Sequence, residues 1–176
     1  MKKLLNISYF LFTFTVLMGH PHVFFENDFN LLITSKETKI TLHLILDEMN
    51  TILVKENNNS NELYKNIFHD LKVCYNDNLL ENNMIDESID ISGENIILNI
   101  TFSYPITLKE NDKLLISIYD EEYFYDYDYN KYSLNITNEV DLLTNIKFLE
   151  NKKKAYYYDM VYPKEYEVLI YEKSKE

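Results

Sequence analysis

With one cysteine, two glycines, three prolines and no tryptophan, this chain is short of the residues that staple and bend small domains. The lone Cys74 rules out an intramolecular disulfide, and its place after Val73 reads as a small buried side chain. With so little glycine and proline, turns fall to asparagine, as in Glu56-Asn57-Asn58-Asn59-Ser60-Asn61 and Asn76-Asp77-Asn78. Asparagine tolerates left-handed backbone and caps helices. Positive charge is scarce as well. The net charge of −12 argues against nucleic acid or an anionic membrane as partner. Outside Leu4–Met18 no apolar run approaches the roughly 20 residues that span a bilayer, and Leu4–Met18 is itself too short.

What that run does fit is a signal peptide. Met1-Lys2-Lys3 is basic, Leu4–Met18 is apolar and Gly19 is small, the order that an export signal requires. Cleavage after Gly19 is expected, so that residues 1–19 leave and 20–176 form a single periplasmic or secreted domain. The signal carries two lysines and no acid, so its loss makes the remainder two units more negative. No cysteine stands at the junction to take a lipid.

The rest of the chain alternates in the manner of strands. Val23-Phe24-Phe25 begins one that continues through Phe29, Leu31 and Ile33, and Lys39–Leu46 is the clearest case. Further strands are expected at 72–75, 95–104, 113–119, 132–136, 147–149 and 167–171. A helix is expected from Ser60 to Lys72, with Leu63, Ile67, Phe68 and Leu71 on one face. The fold class is therefore mainly β (α+β): a two-layer β-sandwich-like domain of about seven to nine short strands with one inserted amphipathic helix.

Chemistry is concentrated at His20-Pro21-His22, directly after the expected cleavage point. In extended backbone, side chains two apart share a face, and Pro21 pushes His20 to that geometry. Both imidazoles can then converge on one ion, with the new α-amino group as a further ligand. Pro21 has no amide proton, which disfavours a copper site wrapped by successive deprotonated amides. The plain alternative is a solvated chain end with incidental histidines. Asp47-Glu48, where the strand Lys39–Leu46 ends, either completes a cation site or makes a solvated turn. From Tyr119 to Tyr129, acids and tyrosines alternate. They can line a cation-attracting groove around Asp120 or a partner surface, or form a strand end and hairpin with wet hydroxyls. His43, on a strand, and His69, in the helix, read as structural or exposed. No nucleophile elbow, phosphate loop, paired CxxC or HExxH occurs, so an enzyme is not expected.

In their order, His20-Pro21-His22-Val23-Phe24, Asp47-Glu48 and Ile118-Tyr119-Asp120-Glu121-Glu122-Tyr123-Phe124 resemble a bacterial family of small periplasmic proteins. The family is known as periplasmic components of ABC-type transport systems and matures at an HPHVF-type start. The resemblance covers about residues 20–125. It departs at three points: Leu44-Ile45-Leu46 stands where the family has a tryptophan before Asp-Glu, Glu121 replaces a proline, and an acidic, glycine-containing stretch before the helix is reduced to Glu56–Asn61. The resemblance implies transition-metal handling beside an inner-membrane permease of the nickel/cobalt type, and a ZevA-like relative is linked to zinc acquisition. Carried over by position, His20 and His22 face the metal, with Asp47, Glu48 and Asp120 as co-ligands or their supports. The expectation is an accessory protein that binds or presents zinc, or else nickel or cobalt, to that permease. The alternative is a metal-free assembly partner of the permease that acts through its tyrosine- and acid-rich surface.

Overall fold

Period-two alternation puts every second side chain of a strand on one face. The computed structural model describes residues 23–57, 60–92 and 95–172, with backbone alone over 53–57 and 60–63. The segment 1–19 and His20-Pro21-His22 lie outside the described residues. Strand β1 (Val23–Ile33) buries Phe25, Phe29, Leu31 and Ile33, and β2 (Thr38–Leu46) buries Ile40, Leu42, Leu44 and Leu46. The two pair antiparallel from Phe25 opposite Leu46 to Ile33 opposite Thr38. Between them Thr34 Oγ1 accepts the Lys36 and Glu37 N–H groups and closes the turn without glycine.

Helices α1 (Glu48–Asn57) and α2 (Ser60–Asp70) follow. After them come β3 (Leu71–Tyr75), β4 (Asn78–Leu79), β5 (Met84–Ser92), β6 (Asn95–Tyr104) and β7 (Lys113–Ile118). The chain ends with β8 (Tyr125–Asp128), β9 (Leu134–Asn138), β10 (Leu142–Glu150) and β11 (Lys164–Glu172). One sheet runs β5-β6-β2-β1-β8, with β9 also on β1; the other runs β10-β11-β7-β3-β4. Both β8 and β9 lie parallel to β1, β8 along Val23–Glu26 and β9 along Phe29–Ile33, so β1 takes two partners end to end. Where it changes partner, Asn27 is buried with no hydrogen-bond partner for its amide among the described residues.

The protein is mainly β, and the two sheets pack as a sandwich, as the alternation implies. Phe29, Leu42, Ile100 and Phe102 of one sheet and Val73, Ile116, Val168 and Ile170 of the other belong to one buried cluster. The described residues hold eleven strands and two helices rather than seven to nine and one. β4 is too short for a pattern, and β5 is exposed along its whole length, so burial imposes no alternation on it. Thr51, Ile52 and Val54 obscure α1, because β-branched residues weaken helical pattern. α2 ends at Asp70, and Leu71 opens β3 instead of closing the helix. Asn82 Nδ2 stops the helix there by donating to the Phe68 and Leu71 carbonyls at 2.7 and 2.8 Å.

Candidate functional site

Segments far apart in sequence meet at the start of β1. The Val23 N–H donates to the Phe124 carbonyl at 3.1 Å, and the Phe24 carbonyl accepts the Asp47 N–H at 3.4 Å. Val23-Phe24, Asp47 and the loop before β8 therefore share one end of the first sheet. β2 delivers Asp47 because Leu46 is its last residue opposite Phe25, and β8 delivers the loop because Tyr125 pairs with Val23.

At this end the carboxylates of Asp47 and Asp120 are engaged by the chain itself. Asp47 is the N-cap of α1: Oδ1 accepts the Asn50 N–H at 2.9 Å and Oδ2 accepts Asn50 Nδ2 at 2.6 Å. Burial opposes its charge, but the Asn50 and neighbouring backbone hydrogen bonds outweigh burial and hold the carboxyl below the ordinary carboxylate range. Glu48 is exposed in the first turn of α1, where its charge complements the helix dipole. Asp120 Oδ1 accepts the Glu122 N–H at 3.0 Å, and Oδ2 accepts those of Phe124 and Tyr125 at 2.8 and 3.1 Å. This shapes a loop in which Tyr123 takes a left-handed φ of 59°. The two carboxylates also open into different clefts. Asp47 lines one of about 340 Å3 with Phe24, Glu26 and Asp128; Asp120 lines its neighbour.

That neighbour, about 310 Å3, lies between Val23, Asp120, Glu122 and the end of α2, where His69 and Asp70 stand. Asp70 is 9% exposed, and its Oδ2 accepts the Tyr127 hydroxyl at 2.6 Å. Burial pushes the Asp70 carboxyl up to about 7 against the pull of the Tyr127 hydrogen bond; the Asp120 charge adds to the rise and Lys72 opposes it. Burial also raises the Tyr127 phenol well above its ordinary value. The Tyr127 hydroxyl is thus paired inside the protein rather than wet. The Asp70 carboxyl, raised toward neutrality, thus stands beside His69, Asp120 and Glu122 in one cleft. Sequence reasoning does not find the Asp70–Tyr127 pair, because its members are 57 residues apart.

The remaining candidates have structural partners. His43 stands in a hydrogen-bonded ladder on the outer face of the first sheet: Nε2 meets Asn30 Nδ2 at 2.6 Å and Nδ1 meets Asn99 Oδ1 at 2.6 Å. Since Asn99 Nδ2 donates to Asp90 at 2.7 Å, the ladder assigns the His43 proton to Nδ1. Burial raises the half-buried Cys74 thiol above its ordinary value, which keeps it protonated and unreactive. Tyr119 and Tyr123 pack on Tyr156 with ring centres 5.1 and 6.2 Å apart, an aromatic patch beside the acidic loop. Among the described residues no three His, Cys, Asp or Glu side chains are grouped to hold a metal ion. No helix among them is long and apolar enough to cross a membrane. Comparison with family models, curated proteins and solved structures finds no match to this chain.

Proposed function

We propose that the chain is an exported, periplasmic accessory protein of transition-metal transport, in which His20 and His22 capture a divalent ion and present it to a membrane permease. The observation that carries this reading is the convergence at the start of β1. The residue two positions after His22 is Phe24, tied to Asp47, and the one directly after His22 is Val23, which lines the cleft of His69, Asp70, Asp120 and Glu122. The resemblance of His20-Pro21-His22-Val23-Phe24 to the HPHVF-type family supports the same reading.

We assign the supporting ligands to His69 and Glu122, whose side chains line the cleft, rather than to Asp47 or Asp120, whose oxygens already accept N–H groups. Imidazole ligation suits zinc first, with nickel and cobalt as further occupants. Capture requires neutral histidines, so affinity falls as the pH drops through about 6.5.

Equilibrium dialysis against zinc and nickel tests the proposal, comparing the exported chain with a His20→Ala, His22→Ala variant. The variant is expected to lose retention at pH 7.5, and the parent to lose it at pH 5.5. Equal retention by both at pH 7.5 would overturn the metal reading and leave the aromatic, acidic surface around Tyr123 as the functional feature.

A further inference from the structure

β5 closes one end of the first sheet, and on its outer side no strand follows among the described residues. It offers nine residues of extended backbone whose inner partner, β6, uses only one of the two edges. The register shows what lies on each face. Met84, Glu87, Ile89 and Ile91 stand opposite Phe102, Ile100, Leu98 and Ile96, which are core residues. Yet Ile89 is 39% exposed and Ile91 67%. The core-facing side of the sheet therefore extends one strand beyond the layer that covers it. Beside this apolar ledge, Tyr64, Lys65, Phe68, Met84 and Glu87 line a groove of about 450 Å3 between α2 and β5. The opposite face of β5 carries Asp86, Ser88 and Asp90.

Edge strands are blunted with lysine, proline, bulges or inward-pointing charge. β5 has no lysine or proline, while its register shifts between Met84 and Asp86 and Glu87 stands on the core-facing side, so the regular edge runs from Asp86 to Ser92. It has three acids in nine residues and no base. A second copy is a poor occupant: antiparallel self-pairing about Ser88 sets Asp86 opposite Asp90 of the other copy, twice, and like charges directly opposite destabilise a ladder. The same acids favour a strand of opposite charge. We propose that β5 accepts an extended segment of a partner protein as the next strand of the sheet, with lysine or arginine on the face of Asp86 and Asp90 and apolar residues on the Ile89–Ile91 ledge. Main-chain hydrogen bonds supply affinity in this mode, and alternate side chains supply specificity. The surface is independent of the metal reading, and failure of either leaves the other standing.

The probe is a fluorescein-labelled heptapeptide of alternating lysine and valine, titrated into the full exported chain by anisotropy and mapped by amide shifts. Binding is expected at low salt, with shifts concentrated on β5. Three controls should each weaken it by about tenfold or more: methylation of alternate peptide nitrogens, glutamate in place of lysine, and Ile91→Lys in the protein. Asp86→Asn should weaken it less and flatten its salt dependence. Equal binding by the methylated peptide would show charge attraction without strand addition and overturn the proposal. Shifts mapping away from β5 would overturn it too, as would a dimer in sedimentation that Ile91→Lys dissolves.

Discussion

Asp70 and Tyr127 make the most consequential pair of side chains among the described residues. A carboxyl with one oxygen on a buried phenol and a wall of acids beyond it holds its proton far better folded than unfolded. Folding raises this group's affinity for a proton. Its stability contribution is therefore complete below the unfolded value, near ~3.9, and is lost as the pH rises through about 7. Asp70→Asn keeps the acceptor for Tyr127 and removes the titration. Its stability gain over the parent should be about 2–3 kcal/mol larger at pH 8 than at pH 5, read from urea midpoints at the two pH values. A difference that does not change with pH would mean that Asp70 titrates normally. The adjacency of His69 and Asp70 was visible in the sequence; the phenol that gives Asp70 its character comes from another strand.

At the level of elements, α1 shows how one residue type admits two chemistries. An aspartate at the end of a strand can bind a cation or cap a helix, and Asp47 caps one. Asp47→Ala should cost about 1 kcal/mol in urea unfolding, whereas Asp47→Asn, also a good N-cap, should cost almost nothing. Zinc retention by Asp47→Asn should match the parent's in dialysis; a clear loss would return Asp47 to the ligand set. The signal for this helix was present as Asp47 followed by Glu48 in the first turn, but Thr51, Ile52 and Val54 masked it. β5 is the opposite case. No core side chain imposes alternation on it, so only its pairing with β6 makes it a strand.

On the scale of the molecule, the two sheets share one buried cluster and are expected to unfold together. Ile116, fully buried in the second sheet, lies in the same cluster as Leu42 and Ile100 of the first. Ile116→Ala should lower stability by about 2–5 kcal/mol and shift the far-ultraviolet and tyrosine circular-dichroism transitions to one common midpoint. Separate midpoints would show that the sheets are independent units. Because Ile91 is exposed where the core-facing side of the sheet runs past its cover, Ile91→Lys should stay within about 0.5 kcal/mol of the parent, which makes it a fair test of β5 as a docking edge.

Several features were determined by the sequence by itself: the mainly β class, β1, β2 and β6, the core faces of β1 and β2, and the position of α2 within a few residues. These follow from local physics, since alternation and capping act over neighbours within a turn or a strand. Only the tertiary structure decided that β1 takes both β8 and β9 in parallel, because partners roughly a hundred residues away leave no periodic trace in either segment. That pairing sets Val23 against Phe124 and opens the cleft of Asp70 and Asp120. The His20-Pro21-His22 motif was legible in the sequence; the cleft beside the start of β1 was decided by long-range strand pairing.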